Sequence, residues 1–454
     1  MASAAEQLAA NINFGAFQKA TELHKRLLFT VGALIIYRFG TFIPLAGVNT
    51  AVFAQTAAGK GTGIFDTFNL FSGGAVQRMA IFALNVMPYI SASIIVQLMQ
   101  SIYPPWEKLK KEGGEAGRKQ LNQYTRYLTV ILALAQSFGI AISLQNTPGV
   151  VSSVGPYTGP FFLIGTITTL TGGTLFLMWL GEQITSRGVG NGNSLIIFAG
   201  IVSRLPTSVG NMLGAGGKGG SSPVLLLAIA AGAIAILVFI VFMERAQRRL
   251  LVQYPKRQVG NRMFGGESSF LPLKVNTSGV IPPIFASSLL LLPTTAAAFL
   301  TNGHMPTWAQ GWLPVVTQQL SHGQPTFIAL YALLIIFFCF FYTSVVFNPE
   351  ETAENLRKYG GFLPGIRPGK RTAEYLDYVL TRLTAIGAIY VMAVCLIPEF
   401  ITNFTSVQLA FTGTSILIVV SVMMDTVAQI QSHLLAHQYE GLIKKAKLRG
   451  GRGR

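Results

Sequence analysis

VNTSGVIPPIFASSLLLL (275–292) and PTFIALYALLIIFFCFFYTSVVFNP (325–349) belong to one tract, between Lys274 and Glu350, without a single charged side chain. A charge at the centre of a bilayer costs about 2.5 kcal/mol or more, whereas a water-soluble core of this length would still present charged faces. Residues 79–102, 127–181, 219–243 and 400–424 are equally silent. Such tracts divide into runs of about 20 apolar residues, enough to cross a hydrocarbon layer about 30 Å thick. The chain reads as a polytopic membrane protein.

Composition agrees. Over 454 residues, 51% are hydrophobic and 11% charged, and the mean hydropathy is +0.50. Soluble domains carry about 25% charged residues. The 34 Lys and Arg outnumber the 17 Asp and Glu, leaving a net charge of +17. In a soluble protein that excess would suggest nucleic acid. Here the positive-inside rule, which gathers Lys and Arg in cytoplasmic loops, accounts for it. Such loops can also dock an acidic partner or anionic lipid. Cys339 and Cys395 sit inside apolar runs without metal-ligand spacing, so buried thiols are expected and no disulfide framework. Met1 to Ala20 is mostly small and polar, so no cleavable signal is read there.

Ten crossings are expected, at 27–47, 79–102, 127–145, 160–181, 191–206, 223–243, 275–299, 325–347, 378–397 and 407–430, with Pro, Gly, Asn and Ser clusters between neighbours. The fifth is short, closed by Arg204 and Pro206, but parity requires it. With it, 28 of the 34 basic residues fall on one face, which makes both termini cytoplasmic. The fold class is an all-α polytopic membrane protein, with ten transmembrane helices in two pseudo-symmetric, inverted five-helix halves. An odd number of crossings per half turns the second half upside down. The expected parts are a cytoplasmic segment 1–26, a first half 27–206, an external hinge loop 207–222, a second half 223–430 and a basic tail 431–454. Cytoplasmic arms occupy 244–274 and 348–374.

Four features exceed what a plain bundle needs. Residues 61–74 are too apolar for an exposed loop: Ile64, Phe65, Phe68, Leu70 and Phe71 lie between Gly61–Gly63 and Gly73–Gly74. They form either a re-entrant packing helix or a mobile stopper hinged on its glycines. Prolines recur at matching depth in spans two and seven, Pro88 and Pro282–Pro283, where kinks are expected. Mid-bilayer proton-relay or ion-coordinating groups are missing; Arg38 and Asp425 are the nearest exceptions and are read as structural. The histidines form no ligand set, and no nucleophile–base pair stands out, so no enzymatic activity is expected. Finally, both arms are longer than topology requires, stiffened by Pro and Gly, with an arginine near each tip. A docking role follows. Secondary transporters also use inverted repeats, and a non-conducting scaffold or insertase would also carry basic arms, so both remain as alternatives.

Six strings, in order, resemble the SecY family, the central subunits of bacterial Sec protein-conducting channels: FSGG (71–74), MPYISASI (87–94), WLGEQI (179–184), GVGNG (188–192), LKVN (273–276) and PGIRPG (364–369). Resembling segments run from about Leu27 to Leu448. The resemblance implies two halves clasping an hourglass pore that passes unfolded secretory polypeptides and releases apolar segments laterally. It places a sealing aliphatic ring at Val86, Ile90, Ile197, Ile281 and Ile418. A sixth position, where relatives carry isoleucine, is Asn193 here. The plug falls at about 62–74, taking in Ile64, Phe65, Phe68, Asn69, Leu70, Phe71, Ser72, Gly73 and Gly74. The lateral gate falls on Pro88, Ser91, Ile94, Pro282 and Pro283.

The resemblance also implies partners. The arms, with Arg257 and Arg367 at matching positions, would dock the SecA motor ATPase and the ribosome. SecE and SecG would be small membrane subunits, and the inner membrane the location. Signal-bearing secretory preproteins would be the cargo, and membrane lipids the surroundings. The basic tail from Lys444 to Arg454 is a candidate contact for ribosomal RNA or anionic lipid, or simply a solvated end.

Overall fold

A computed structural model describes residues 21–53, 69, 72–111, 113–151, 159–217, 223–254, 257–259, 262–264, 268–290, 313–320, 324–405 and 413–450. The helices are α1 (Thr21–Gly40), α2 (Met87–Ile102), α3 (Pro104–Lys111), α4 (Gly114–Asn146), α5 (Pro160–Arg187), α6 (Gly192–Gly217) and α7 (Pro223–Arg245). After a β-hairpin arm come α8 (Ile281–Leu290) and α9 (Leu313–Gln319), α10 (Pro325–Val346), α11 (Pro349–Lys358), α12 (Lys370–Thr405) and α13 (Gly413–Gly450). Every one of the ten expected crossings is met by a helix: α1, α2, α4, α5, α6, α7, α8, α10, α12 and α13.

Five of these segments are long and apolar enough to cross a membrane by length and composition. The most apolar window, in 325–358, is only 28% buried. A soluble protein would hide such a surface; here Ile35 and Phe39 on α1, Phe242 on α7, Phe337 on α10 and Ile389 on α12 all face outward. Bare apolar faces on that scale suit lipid.

Inside, small residues let backbones approach. The buried face of α4 steps through Gly117, Leu121, Thr125, Thr129, Ala133, Ser137 and Ala141, one residue every four. Ser137 and Thr171 share a hydrogen bond of 3.0 Å between α4 and α5. This is the small-residue packing that works where lipid supplies no hydrophobic drive between helices. α1, α2, α4, α5 and α6 pack among themselves, α7, α10, α12 and α13 make the other group, and the two groups meet through α6 with α7 and through α13 with α6 and α1.

Three expectations are corrected. The prolines of spans two and seven start helices instead of kinking them: Pro88 occupies the first turn of α2, and Pro282 the second position of α8. A first-turn proline lacks only an N–H that has no helical partner anyway. Residues 79–86, expected within span two, are consecutive turns. The fifth crossing does not stop at Pro206, because α6 passes through it to Gly217, shortening the hinge expected at 207–222. The first arm is a β-hairpin within an otherwise helical protein, with β1 (Gln247–Gln253) paired antiparallel to β4 (Ser268–Lys274) and β2 (Arg257–Val259) to β3 (Arg262–Phe264). Its inward residues Leu250, Val252 and Leu273 join Leu363, Leu376 and Leu380 of the second arm and α12 in one cluster.

Ala133 is fully buried on the α4 stripe, whereas Ile131 is 62% exposed. Ala133→Leu should therefore destabilise the detergent-solubilised protein by about 1–3 kcal/mol through overpacking, seen as a lower Tm. Ile131→Leu should leave Tm unchanged.

Candidate functional site at the junction of the two halves

Val86, Ile90, Ile197 and Ile418 are all buried in one apolar cluster, and Ile281 packs against it. They arrive from separate places: Val86 caps α2 and Ile90 lies one turn in, Ile197 is on α6, Ile281 opens α8 and Ile418 is on α13. Those helices belong to both halves, so the cluster spans the seam between them. Asn193 points elsewhere. Its side chain presses on Gly181 of α5 and faces the Tyr89 hydroxyl. Among the described residues, no His, Cys, Asp and Glu group is placed to hold a metal ion.

The gate positions lie beside the same cluster. Pro88, Ser91 and Ile94 are buried along α2, and Pro282 and Pro283 along α8. Ile94 shares the cluster with Phe285, Ala286 and Leu290 of α8. Beyond them Lys110 donates to the Val345 carbonyl at 3.5 Å, linking α3 to α10.

Of the plug residues, Ile64, Phe65, Phe68, Leu70 and Phe71 lie outside the described residues, whereas Asn69, Ser72, Gly73 and Gly74 are placed. Asn69 organises this end: its carbonyl accepts from the Gly74 N–H at 3.0 Å and its Oδ1 from the Gln77 N–H at 3.1 Å. The Ser72 hydroxyl accepts from the Val76 N–H at 3.3 Å. Gly73 and Gly74 adopt φ of 65° and 89°, where a side chain would be strained. Backbone bonds from Leu45 N–H to Met79 O and from Ile81 N–H to Ile43 O strap the following turns to the end of span one.

On the basic face, the loop 188–191 is clasped from both halves. The Thr30 hydroxyl of α1 accepts from the Val189 N–H at 3.1 Å, and Gln429 Oε1 of α13 accepts from the Gly190 N–H at 2.8 Å. Nearby, Arg126 and Glu182 form a two-pronged ion pair at 2.9 and 2.8 Å. Asp425, singled out from sequence, is exposed and takes no part in this clasp.

The arms are joined as one body. Gln253 of β1 exchanges two backbone hydrogen bonds with Phe362, at 2.9 and 3.0 Å. Arg257 sits on β2, opposite Phe264. Arg367 is exposed in the turn between Gly365 and Gly369, both at positive φ. Where β4 meets α8, Asn276 donates to Glu244 Oε1 at 2.6 Å and to the Gly279 carbonyl at 3.1 Å. Sequence reasoning does not single out Thr30 or Gln429, whereas Asn276 closes the family-like string LKVN, and the partners of the first two, Val189 and Gly190, lie within GVGNG. Cys339 and Cys395 are buried free thiols, as expected.

The architecture defines a class: a membrane-embedded helical protein whose two halves meet at an aliphatic seam. The SecY family profile matches residues 80–427. The protein translocase subunit SecY of Rickettsia bellii is 52% identical over 442 residues, covering 97% of this chain and 100% of that one. A solved protein-conducting channel superposes with a TM-score of 0.66 at 17% identity, covering 91% of this chain and 93% of that one. A second structure, described for a SecY plug domain that stabilises the closed translocation channel, gives 0.65 at 18% identity, again covering 91% and 93%. The chain belongs to the SecY family.

Thr30→Val should leave the Val189 N–H unpaired in a buried setting, at a cost of about 1–3 kcal/mol. Limited trypsin cleavage at the adjoining exposed Arg187 should quicken relative to the native chain.

Proposed function

We propose that the seam of Val86, Ile90, Ile197, Ile281 and Ile418 is the waist of a pore for unfolded polypeptides in the bacterial inner membrane. The observation that carries this reading is that Val86, Ile90, Ile197 and Ile418, drawn from both halves, share one buried apolar cluster, with Ile281 packed against it. An aliphatic waist stays dewetted and blocks ions when shut. Because its contacts are non-directional, it can close around any passing side chain without reading sequence. A secondary transporter would instead place a polar substrate site at this depth.

The remaining parts take roles around that waist. The segment 62–74 is the plug on the outer side, with Asn69, Ser72, Gly73 and Gly74 as its inner hinge. The gate opens between α2 and α8, where Pro88, Ser91, Ile94, Pro282 and Pro283 line the route by which an apolar segment leaves for lipid. Both termini and both arms face the cytoplasm, following the charge distribution. The arms dock SecA and the ribosome through Arg257 and Arg367, while SecE and SecG brace the halves from outside. The chain performs no catalytic step. The driving energy comes from its partners or from the proton-motive force.

A photo-crosslinker at Ile90, and separately at Ile418, tests this in membranes holding a secretory chain stalled midway. Both positions should crosslink to that chain, and both signals should vanish when its signal sequence is deleted. Docked SecA or ribosome with no crosslink from either position would reduce the protein to a receptor. Independently, Ile90→Asn should wet the waist and raise the ion leak of the resting channel in planar bilayers, whereas Ile90→Leu should not.

A further inference from the structure

An arginine inside a membrane span needs a partner worth its burial. Arg38 lies in the last turn of α1, half buried. Among the described residues it forms no ion pair. Its Nη1 donates instead to the Gly73 carbonyl, 35 residues on, at 2.8 Å, and to the Thr41 hydroxyl at 3.4 Å. Its guanidinium stands 4.7 Å from the Phe42 ring, and the guanidinium of Arg78 stands 4.1 Å from that same ring.

Gly73 is hemmed in from the other side as well. A side chain there would press on Gly200 and the Ser203 hydroxyl of α6. The residue is thus held between the end of span one and span five, at a positive φ that glycine tolerates. Three independent contacts converge on this stretch: Arg38 on the Gly73 carbonyl, the Phe42 ring under two arginines, and the backbone strap from 43–45 to 79–81.

We propose that Arg38 is the latch of the plug hinge, a positioning residue that holds Gly73 against span one in the resting channel and releases it on opening. The proposal rests on the reading of 62–74 as a plug. The acceptor suits a latch, because a neutral carbonyl can be released without separating an ion pair. Arg78 is crowded by the like charges of Arg38 and Arg204 as well as by its burial. The planar fork of a guanidinium also matters, since lysine, a compact point charge, cannot donate to Gly73 and lie along Phe42 together.

The test uses full-length channel in planar bilayers, with Arg38→Lys, Arg38→Gln, Phe42→Leu and Phe42→Tyr. Losing one charge-assisted hydrogen bond should raise the resting ion leak about tenfold or more for both Arg38 variants. They should also pass a preprotein lacking its signal sequence. Phe42→Leu should leak to a lesser degree, and Phe42→Tyr should restore tightness; this pair decides the matter if the Arg38 variants do not fold. Variants that seal as tightly as the native channel, while still crosslinking a secretory chain at Ile90, overturn the latch and leave the pore standing. Loss of the Ile90 crosslink in the native protein overturns the pore reading, and the latch falls with it.

Discussion

In hydrocarbon, a backbone N–H or C=O has no water to bond, so each must find its partner inside the chain. Helices satisfy this automatically, and ten of them carry most of this protein. The constraint bites at residues 72–86, which are turns where the sequence pattern predicts helix from 79 onward. Asn69 and Ser72 supply two acceptors to the first turn, span one supplies the strap at 43–45, and Arg38 covers the Gly73 carbonyl. Only then can helix α2 begin at Met87, with Val86 and Ile90 brought to the seam. The placement of Val86 and Ile90 at the seam therefore depends on the satisfaction of one irregular stretch beside them.

The seam itself contributes little adhesion. Lipid tails are as apolar as isoleucine, so aliphatic contact between the halves gains little over contact with lipid. Polar contacts also join the two groups of helices, among them Gln429 to Gly190 on the basic face and Lys110 to Val345 beside α10. Within each half, by contrast, the α4 stripe and the Ser137–Thr171 bond let backbones approach closely.

Most of the fold is legible in the sequence because charge and length are unambiguous in a membrane chain: a tract such as 275–349 admits few alternatives. The five waist residues are legible only through resemblance, since nothing in their spacing separates them from other aliphatic residues in the same spans. The missing proline kinks have a physical cause. Sequence shows that Pro88 and Pro282 interrupt an apolar run, but not whether the residues before them are helical, and for Pro88 that depends on the strap formed with 43–45. The hairpin is hidden because charge dominates the tract 244–274, although Leu250, Val252 and Leu273 point to one side of it. Thr30 and Gln429 act through loop N–H groups distant in sequence, a relation that no local pattern encodes.

The hairpin also bears on the proposed gate. β4 ends at Lys274 and α8 begins at Ile281, leaving six residues between arm and helix. That link is not slack. Asn276 ties it to Glu244 at the end of α7 and to the Gly279 carbonyl, and Ser278 donates back to Asn276 at 3.1 Å. Gly279, at φ 63°, is the one point where the link turns through left-handed backbone. The arm is braced by its shared cluster with the second arm and α12. Under the channel reading, force applied to the arms therefore reaches Pro282 through a short, hydrogen-bonded joint that pivots at Gly279.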